Sequence, residues 1–174
     1  GIATKTNRMV KMIAHTKATL LDTRKTTPNF RLFEKQAVFI GGGGNHRFGL
    51  YDMVMIKDNH IDFAGSISNA ISAASEYLRS KGKNLSVEIE VRNKEELVEV
   101  LRHGGVHRIM LDNFSPSEIK EALKVIPEEI ETEASGGISE TTIEAYAETG
   151  VDFISVGELT HSVKSLDLAL KARP

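Results

Sequence analysis

The chain of 174 residues contains no cysteine, and aromatic residues make up only 6% of it. Without cysteine, disulfide bonds and thiolate zinc sites are excluded, and the composition fits a reducing compartment, so we expect a cytoplasmic protein. No apolar run approaches the roughly 20 residues that a membrane-spanning helix needs, and no signal-peptide pattern opens the chain. Because residue 1 is Gly rather than Met, we expect that a preceding segment has been removed.

The net charge of −2 conceals an asymmetry between the two ends of the chain. Residues 1–60 carry ten Lys and Arg against four Asp and Glu, whereas residues 61–174 carry twelve against twenty. Such a basic portion indicates an anionic partner or an uneven surface charge. A nucleic acid is a poor candidate, because no helix shows a basic stripe and the isoelectric point is near 6.3.

Six short apolar runs, each ending in polar residues and most followed by a helical pattern, dominate the remainder of the sequence. At 40% hydrophobic residues the chain can bury one substantial core, so we expect one domain over residues 1–174. Buried strands alternating with amphipathic helices predict an α/β fold, an incomplete TIM-like parallel barrel. The predicted strands lie in 19–25, 52–60, 85–91, 108–113, 129–137 and 152–157. The predicted helices are 1–14, 31–40, 66–80, 95–101, 115–126 and 140–147, and residues 165–172 fit either element.

Polar residues at the ends of these runs are the candidate site, because loops after the strands build the active sites of such barrels. They are Arg24, Lys25, Lys57, Glu90, Asp112, Ser135, Gly136, Gly137 and Gly157. Cations, two carboxylates and a glycine site of phosphate size together indicate an enzyme with a polyanionic substrate.

Four glycines at 41–44 lead into Asn45-His46-Arg47 and match neither common nucleotide-binding loop. Glycines allow a backbone to approach a ligand closely, and an arginine fork matches a carboxylate with two parallel hydrogen bonds. We therefore expect His46 and Arg47 to bind an anion, the alternative being a surface loop with an incidental histidine.

The carboxylates of the third strand share one face. Glu88 and Glu90 alternate with Val87, Ile89 and Val91, so the glutamates should face the barrel interior and need cations or metal. Glu90 and Asp112 could hold Mg²⁺ shared with substrate phosphates, or accept hydrogen bonds from sugar hydroxyls. Internal ion pairs to Lys25 and Lys57 are the remaining alternative.

The last two strand ends resemble a phosphate site. Ser135-Gly136-Gly137 and Gly157 follow successive strands, where TIM barrels commonly bind phosphate through backbone N–H groups.

Taken in order, these segments resemble the motifs of the quinolinate phosphoribosyltransferase family over nearly the whole chain. The matching segments are Asp22-Thr23-Arg24-Lys25-Thr26 with Pro28, Gly41-Gly42-Gly43 with Asn45-His46-Arg47, Ile56-Lys57-Asp58-Asn59-His60, Glu88-Ile89-Glu90-Val91, Leu111-Asp112-Asn113, Glu133-Ala134-Ser135-Gly136-Gly137, and Val156-Gly157 with Leu159-Thr160-His161-Ser162. The resemblance implies that quinolinate and phosphoribosyl pyrophosphate react, with Mg²⁺, to nicotinate mononucleotide, pyrophosphate and CO₂ in NAD biosynthesis.

The resemblance also implies roles for single residues. The quinolinate pocket would be formed by Arg24, His46, Arg47 and Lys57, with Lys25 reaching towards both substrates. Glu90 and Asp112 would hold the ribose hydroxyls and the metal and, with Lys25, act in catalysis. Ser135, Gly136, Gly137 and Gly157 would bind the 5′-phosphate, whereas His60 and Glu133 would either support these residues or contact substrate.

The family's N-terminal domain has no counterpart in this chain, and in family dimers it supplies an arginine to the neighbour's quinolinate site. We therefore expect a homodimer for the full-length protein and little activity for the barrel alone. Three alternatives stay open at this point: transfer to a related acceptor such as nicotinate without decarboxylation, a divergent paralogue associated with molybdate uptake, and a non-catalytic phosphate-binding barrel.

Overall fold

A computed structural model describes residues 1–164 and 167–173, which form an α/β fold. The strands are β1 (Thr19–Leu21), β2 (Val54–Ile56), β3 (Val87–Val91), β4 (Arg108–Asp112), β5 (Glu131–Ser135) and β6 (Phe153–Ser155). The helices are α1 (Ile2–Ile13), α2 (Arg31–Ile40), α3 (Asp58–Ala64), α4 (Ile67–Ser80), α5 (Lys94–His103), α6 (Pro116–Leu123), α7 (Ile143–Ala147) and α8 (Glu158–His161).

All six strands are parallel and form one sheet in the order β1-β6-β5-β4-β3-β2. The first strand therefore pairs with the last, which is the pairing that closes a barrel. In the described part of the chain β1 and β2 do not pair with each other, and only an isolated parallel bridge between Leu21 and Gly44 lies at this opening. The predicted fold class, an incomplete parallel barrel, is confirmed.

The strands place their glutamates on the inner face of the sheet and an apolar layer on the outer face. Glu90 of β3 is opposite Met110 of β4, and Met110 is opposite Glu133 of β5, so these side chains share the inner face. The alternate positions, among them Ile89, Leu111 and Ala134, are fully buried in the core against the helices. The predicted division of the third strand into inward glutamates and outward apolar residues is thus confirmed.

Side-chain caps begin the helices α4, α5 and α6. At α6 the Ser115 side chain accepts from the Glu118 N–H while the Glu118 carboxylate accepts from the Ser115 N–H, which is a capping box. The two short helices α3 and α8 were not predicted, because their sequences continue the polar strand ends without a helical apolar period.

The chain end adds neither a strand nor a helix over residues 167–173. Ser165 and Leu166, which begin the predicted final element, lie outside the described residues. Among the helices of the described ranges, none has the length and apolar character needed to cross a bilayer.

Candidate functional site

A cavity of about 460 Å³ opens at the carboxyl ends of the strands. It is lined by Thr23, Arg24, Lys25, His46, Arg47, Met55, Lys57, Glu90, Met110, Asp112, Ser135 and Ser155. Eight residues of the predicted site thus share one cavity, because parallel strands deliver their C-terminal loops to one end of the barrel.

One side of the cavity is cationic. Burial, followed by the positive charge of Arg24, lowers the pKa of Arg47. The two guanidinium groups are therefore close enough to repel each other. The buried Nε of Arg24 has no hydrogen-bond partner among the described residues. Buried donors without partners are costly, so this side fits a polyanionic ligand.

The cavity lining also includes two carboxylates, those of Glu90 and Asp112. Glu90 forms an ion pair with Lys57, and Asn113 Nδ2 donates to Asp112 Oδ2 at 2.7 Å. Burial, followed by the negative charge of Glu90, raises the pKa of Asp112. A divalent cation would relieve this repulsion, and carboxylate oxygens suit Mg²⁺, so the residues present fit that ion. Of the predicted internal ion pairs, the one to Lys57 is present.

The residues predicted to bind phosphate differ in whether they line the cavity. Ser135 lines it, whereas Gly136, Gly137 and Gly157 lie outside the lining. Gly157 is nevertheless beside Lys25, whose Cδ would be 3.4 Å from a Cβ placed on the glycine. This spacing puts Lys25 at the same edge as the predicted backbone site.

His46 is buried below the cavity, and both of its ring nitrogens face protein groups. Nδ1 accepts a hydrogen bond from the Arg47 N–H at 2.7 Å, while Nε2 lies 3.0 Å from Glu88 Oε2 and 3.4 Å from Glu133 Oε2. The imidazole therefore orients the backbone that carries Arg47, and its ring edge lines the cavity.

The side chains around His46 form a buried cluster of charges. Glu88 and Glu133 are fully buried, and Arg108 donates to Glu133 at 3.2 Å while stacking on Phe153 at 3.9 Å. Burial, followed by the charge of Glu133, raises the pKa of Glu88. Atoms of His46, Glu88 and Glu133 lie within 4.8 Å of one another, as in a metal site. Arg108 and His46, however, already offer positive charge to these carboxylates.

The charge state of His46 follows from opposing effects. Burial lowers the pKa of the imidazole, but the carboxylates of Glu133 and Glu88 outweigh burial and raise it to about 9. The hydrogen bond accepted by Nδ1 opposes this shift, since protonation there would end it. Two buried carboxylates outweigh one neutral hydrogen bond, so the direction is upward.

The glycine segment 41–44 was expected to approach a ligand, and that expectation is wrong. A Cβ on Gly43 would be 2.9 Å from side-chain atoms of Thr6 and Val38, and one on Gly44 would be 2.8 Å from Leu21. The small residues thus let the segment pack tightly against α1, α2 and β1, and it carries Asn45-His46-Arg47 to the cavity from there.

Two further motif residues lie outside the cavity lining. His60 Nδ1 accepts from the Lys57 N–H at 2.9 Å and so begins α3, and Glu133 supports His46 from below. The sequence did not identify Thr23, Met55, Met110 and Ser155 as lining residues. For Met55 and Met110 the signal was their register with the inward glutamates of β3.

Comparison with known proteins places nearly the whole chain in one family. The family described as "Quinolinate phosphoribosyl transferase, C-terminal domain" matches residues 2–171. The chloroplastic nicotinate-nucleotide pyrophosphorylase [carboxylating] of Arabidopsis thaliana is 49% identical over 98% of this chain and 53% of its own length. A probable nicotinate-nucleotide pyrophosphorylase [carboxylating] of Bacillus subtilis is 46% identical over 98% of this chain and 57% of its own.

The solved structures agree with the sequence comparison. The nicotinate-nucleotide pyrophosphorylase of Francisella tularensis superposes with a TM-score of 0.88 at 46% identity, covering 94% of this chain and 57% of that one. The chain spans about half the length of the curated relatives it matches.

Proposed function

Because the chain belongs to the quinolinate phosphoribosyltransferase family, as a match to its C-terminal domain, we propose that the protein containing it is the decarboxylating enzyme. It would transfer phosphoribose from phosphoribosyl pyrophosphate to quinolinate, giving nicotinate mononucleotide, pyrophosphate and CO₂ in NAD biosynthesis. Residues 1–174 are proposed as its barrel domain.

The presence of cations and carboxylates in one cavity carries this proposal. Arg24 and Arg47 offer guanidinium groups, and Glu90 and Asp112 offer carboxylates. Quinolinate brings two ring carboxylates to the cationic side, where guanidinium groups can bind them with paired hydrogen bonds. The sugar hydroxyls are neutral donors that suit the carboxylates, and the 5′-phosphate would lie at Ser135, Gly136, Gly137 and Gly157.

The chemistry needs orientation and charge stabilisation rather than a strong base. As the C–O bond to pyrophosphate breaks, positive charge develops on the anomeric carbon, and the pyridine nitrogen forms the new bond with its lone pair. The carboxylates of Glu90 and Asp112 would stabilise that charge, and Lys25 would stabilise the departing pyrophosphate. The positively charged ring nitrogen then stabilises the electron pair that stays on the adjacent ring carbon when its carboxylate departs as CO₂, and this pair takes up a proton.

Mg²⁺ is the proposed metal, held by Glu90 and Asp112 together with the substrate. Bound there, it would supply positive charge to the pyrophosphate oxygens.

The full-length protein is proposed to be a homodimer. Its relatives are about twice as long as this chain, and the resemblance implies that their additional domain completes the partner's quinolinate site with an arginine.

The decisive experiment is the release of ¹⁴CO₂ from carboxyl-labelled quinolinate by the full-length protein. Label should appear only with both phosphoribosyl pyrophosphate and Mg²⁺ present. Conversion of nicotinate without loss of CO₂ from quinolinate would instead assign the related transfer without decarboxylation, and no binding of phosphoribosyl pyrophosphate in calorimetry would favour a non-catalytic barrel.

The metal assignment has its own test. Asp112→Asn removes a carboxylate charge beside Glu90 and should weaken the binding of phosphoribosyl pyrophosphate in the presence of Mg²⁺ by about 10-fold or more. Titrations of the parent, of Asp112→Asn and of Glu128→Gln with Mg²⁺ measure the effect. Glu128 is exposed, so Glu128→Gln is the matched carboxylate-to-amide control. An unaltered Mg²⁺ dependence in Asp112→Asn would remove Asp112 from the metal site.

A further inference from the structure

Helix α2 buries charged side chains and exposes apolar ones, which is the reverse of an ordinary surface helix. Glu34 and Lys35 are buried, at 5% and 2% exposure, whereas Phe33, Phe39 and Ile40 are more than half exposed. Surface helices normally bury their apolar stripe, and Lys is rarely buried unless it is paired. Both buried charges should therefore have specific partners.

The partner of Lys35 is Asp22, the residue directly after β1. Lys35 Nζ contacts Asp22 Oδ1, and the Asp22 carboxylate is fully buried. The same carboxylate accepts from Asn45 Nδ2 at 2.6 Å and from the His46 N–H at 2.9 Å. Asn45 Nδ2 donates in addition to the backbone carbonyl of Lys35 at 2.8 Å.

These contacts join the two segments that carry the cations of the site. Asp22 lies two residues before Arg24, and Asn45 and His46 directly precede Arg47. Glu34 fixes the far end of the first segment, since its carboxylate accepts from the N–H and hydroxyl of Thr27 at 2.9 and 2.8 Å. Asp22 and Lys35 themselves lie outside the described cavity lining.

A buried ion pair is a poor way to stabilise a fold. Removing two charges from water is costly, and apolar residues of similar volume are often at least as stabilising. The pair instead fixes the orientation of the backbone. The Asp22 carboxylate accepts from three donors, and these bonds hold both segments in place relative to α2.

We propose that Asp22 and Lys35 are positioning residues that hold Arg47 in register with Arg24 for the dicarboxylate substrate. This inference rests on the proposed function. It adds Asp22 and Lys35 to the residues on which quinolinate affinity depends.

The test uses the full-length protein and Lys35→Met, which keeps the side-chain length without the charge. KM for quinolinate should rise about 10-fold or more, the effect of losing hydrogen bonds to a charged group, while KM for phosphoribosyl pyrophosphate stays within about twofold. The Asp22→Asn/Lys35→Met double variant removes both buried charges, so it should regain thermal stability and keep the raised KM for quinolinate.

Two further variants make the outcome decisive. Asn45→Ala changes an exposed residue, so it should fold and still raise KM for quinolinate. Lys17→Met removes a Lys–Asp pair at the opposite end of β1, with Asp152 at 2.8 Å, and should change neither KM. A parental quinolinate KM in folded Lys35→Met, in the double variant or in Asn45→Ala, or an equal rise for both substrates, would overturn the inference. A parent protein that releases no CO₂ would instead refute the proposed function.

Discussion

Arg47 is the residue for which geometry matters more than charge. A lysine keeps the positive charge but offers no planar pair of donors, so Arg47→Lys in the full-length enzyme should raise KM for quinolinate by about 10- to 100-fold. The KM for phosphoribosyl pyrophosphate should change little. Initial-rate measurements with each substrate varied provide the comparison.

Arg8→Lys is the matched control for this substitution. Arg8, which is outside the cavity lining, forms a partly exposed ion pair with Glu140 at 2.9 Å, and such pairs contribute little. Unchanged quinolinate kinetics in Arg47→Lys would remove Arg47 from the pocket.

His46 makes stability depend on pH. Its pKa is raised in the folded state to about 9, from an ordinary value of about 6.5. The stabilisation is therefore fully present below pH 6.5 and is lost as the pH rises through about 9, by at most about 3 kcal/mol.

Urea unfolding of the parent and of His46→Gln at pH 6.5, 8 and 9.5 measures this loss. His46 in turn acts to lower the pKa values of Glu88 and Glu133, so the difference between the two proteins measures the imidazole together with its effect on these carboxylates. If the two proteins lose equal stability over this range, His46 is not the titrating group.

At this scale the sequence revealed the residues at strand ends and missed those that support them. Arg24, Glu90 and Asp112 could be predicted because parallel strands deliver their ends to one place. Lys35 was hidden, because its helix shows the apolar period of an ordinary surface helix and the inversion of its faces depends on tertiary packing.

Among the elements, the six strands were predictable because buried runs of apolar residues precede polar ends. Their lengths were not, since β1 covers only Thr19–Leu21 of the predicted 19–25. The polar ends belong to loops and to the short helices α3 and α8, which lack an apolar period; at α3 a capping contact of His60 begins the helix instead. The closeness of segment 41–44 to α1 was likewise invisible, because it depends on contacts distant in sequence.

The loop after β5 meets the end of β4 at Gly136. This glycine has φ of +97°, and a Cβ there would lie 2.7 Å from the backbone nitrogen of Asn113, the neighbour of Asp112. Gly136→Ala should therefore destabilise the fold by about 2 kcal/mol or more and weaken the binding of phosphoribosyl pyrophosphate.

Gly137→Ala provides the control within the same loop. Its φ is +60° and a Cβ there meets no described atom within 4 Å, so the cost should be about 1 kcal/mol. Urea unfolding of both variants gives the difference, and equal losses would show that the Asn113 contact is unimportant.

For the whole molecule, we predict that residues 1–174 alone bind anions but turn over little substrate. Ser135, Gly136, Gly137 and Gly157 need only the barrel to form an anion site, whereas the quinolinate site would lack its partner arginine. Losing one partner of a buried charged hydrogen bond costs roughly 2–5 kcal/mol. Phosphate titration by calorimetry and ¹⁴CO₂ release, compared with the full-length protein, measure both properties; equal rates of release would show that the additional domain contributes nothing to the site.

The same fragment should also associate with itself. Phe39 and Ile40 of α2 are each 70% exposed. Exposed apolar side chains of this kind favour association, which sedimentation velocity over a range of concentrations would detect.

The alternation of polar and apolar residues in the strands has a consequence for how reliably the chain folds. Shifting β3 by one residue would turn Glu88 and Glu90 towards the helices and Ile89 into the cavity. Such a slip would leave carboxylates in an apolar layer without His46, Lys57 or Arg108 to pair with them, and the burial of unpaired charge is costly. Glu88 and Glu90 thus also disfavour the wrong register of β3 during folding. The same charges that form the site therefore help to select the correct strand pairing.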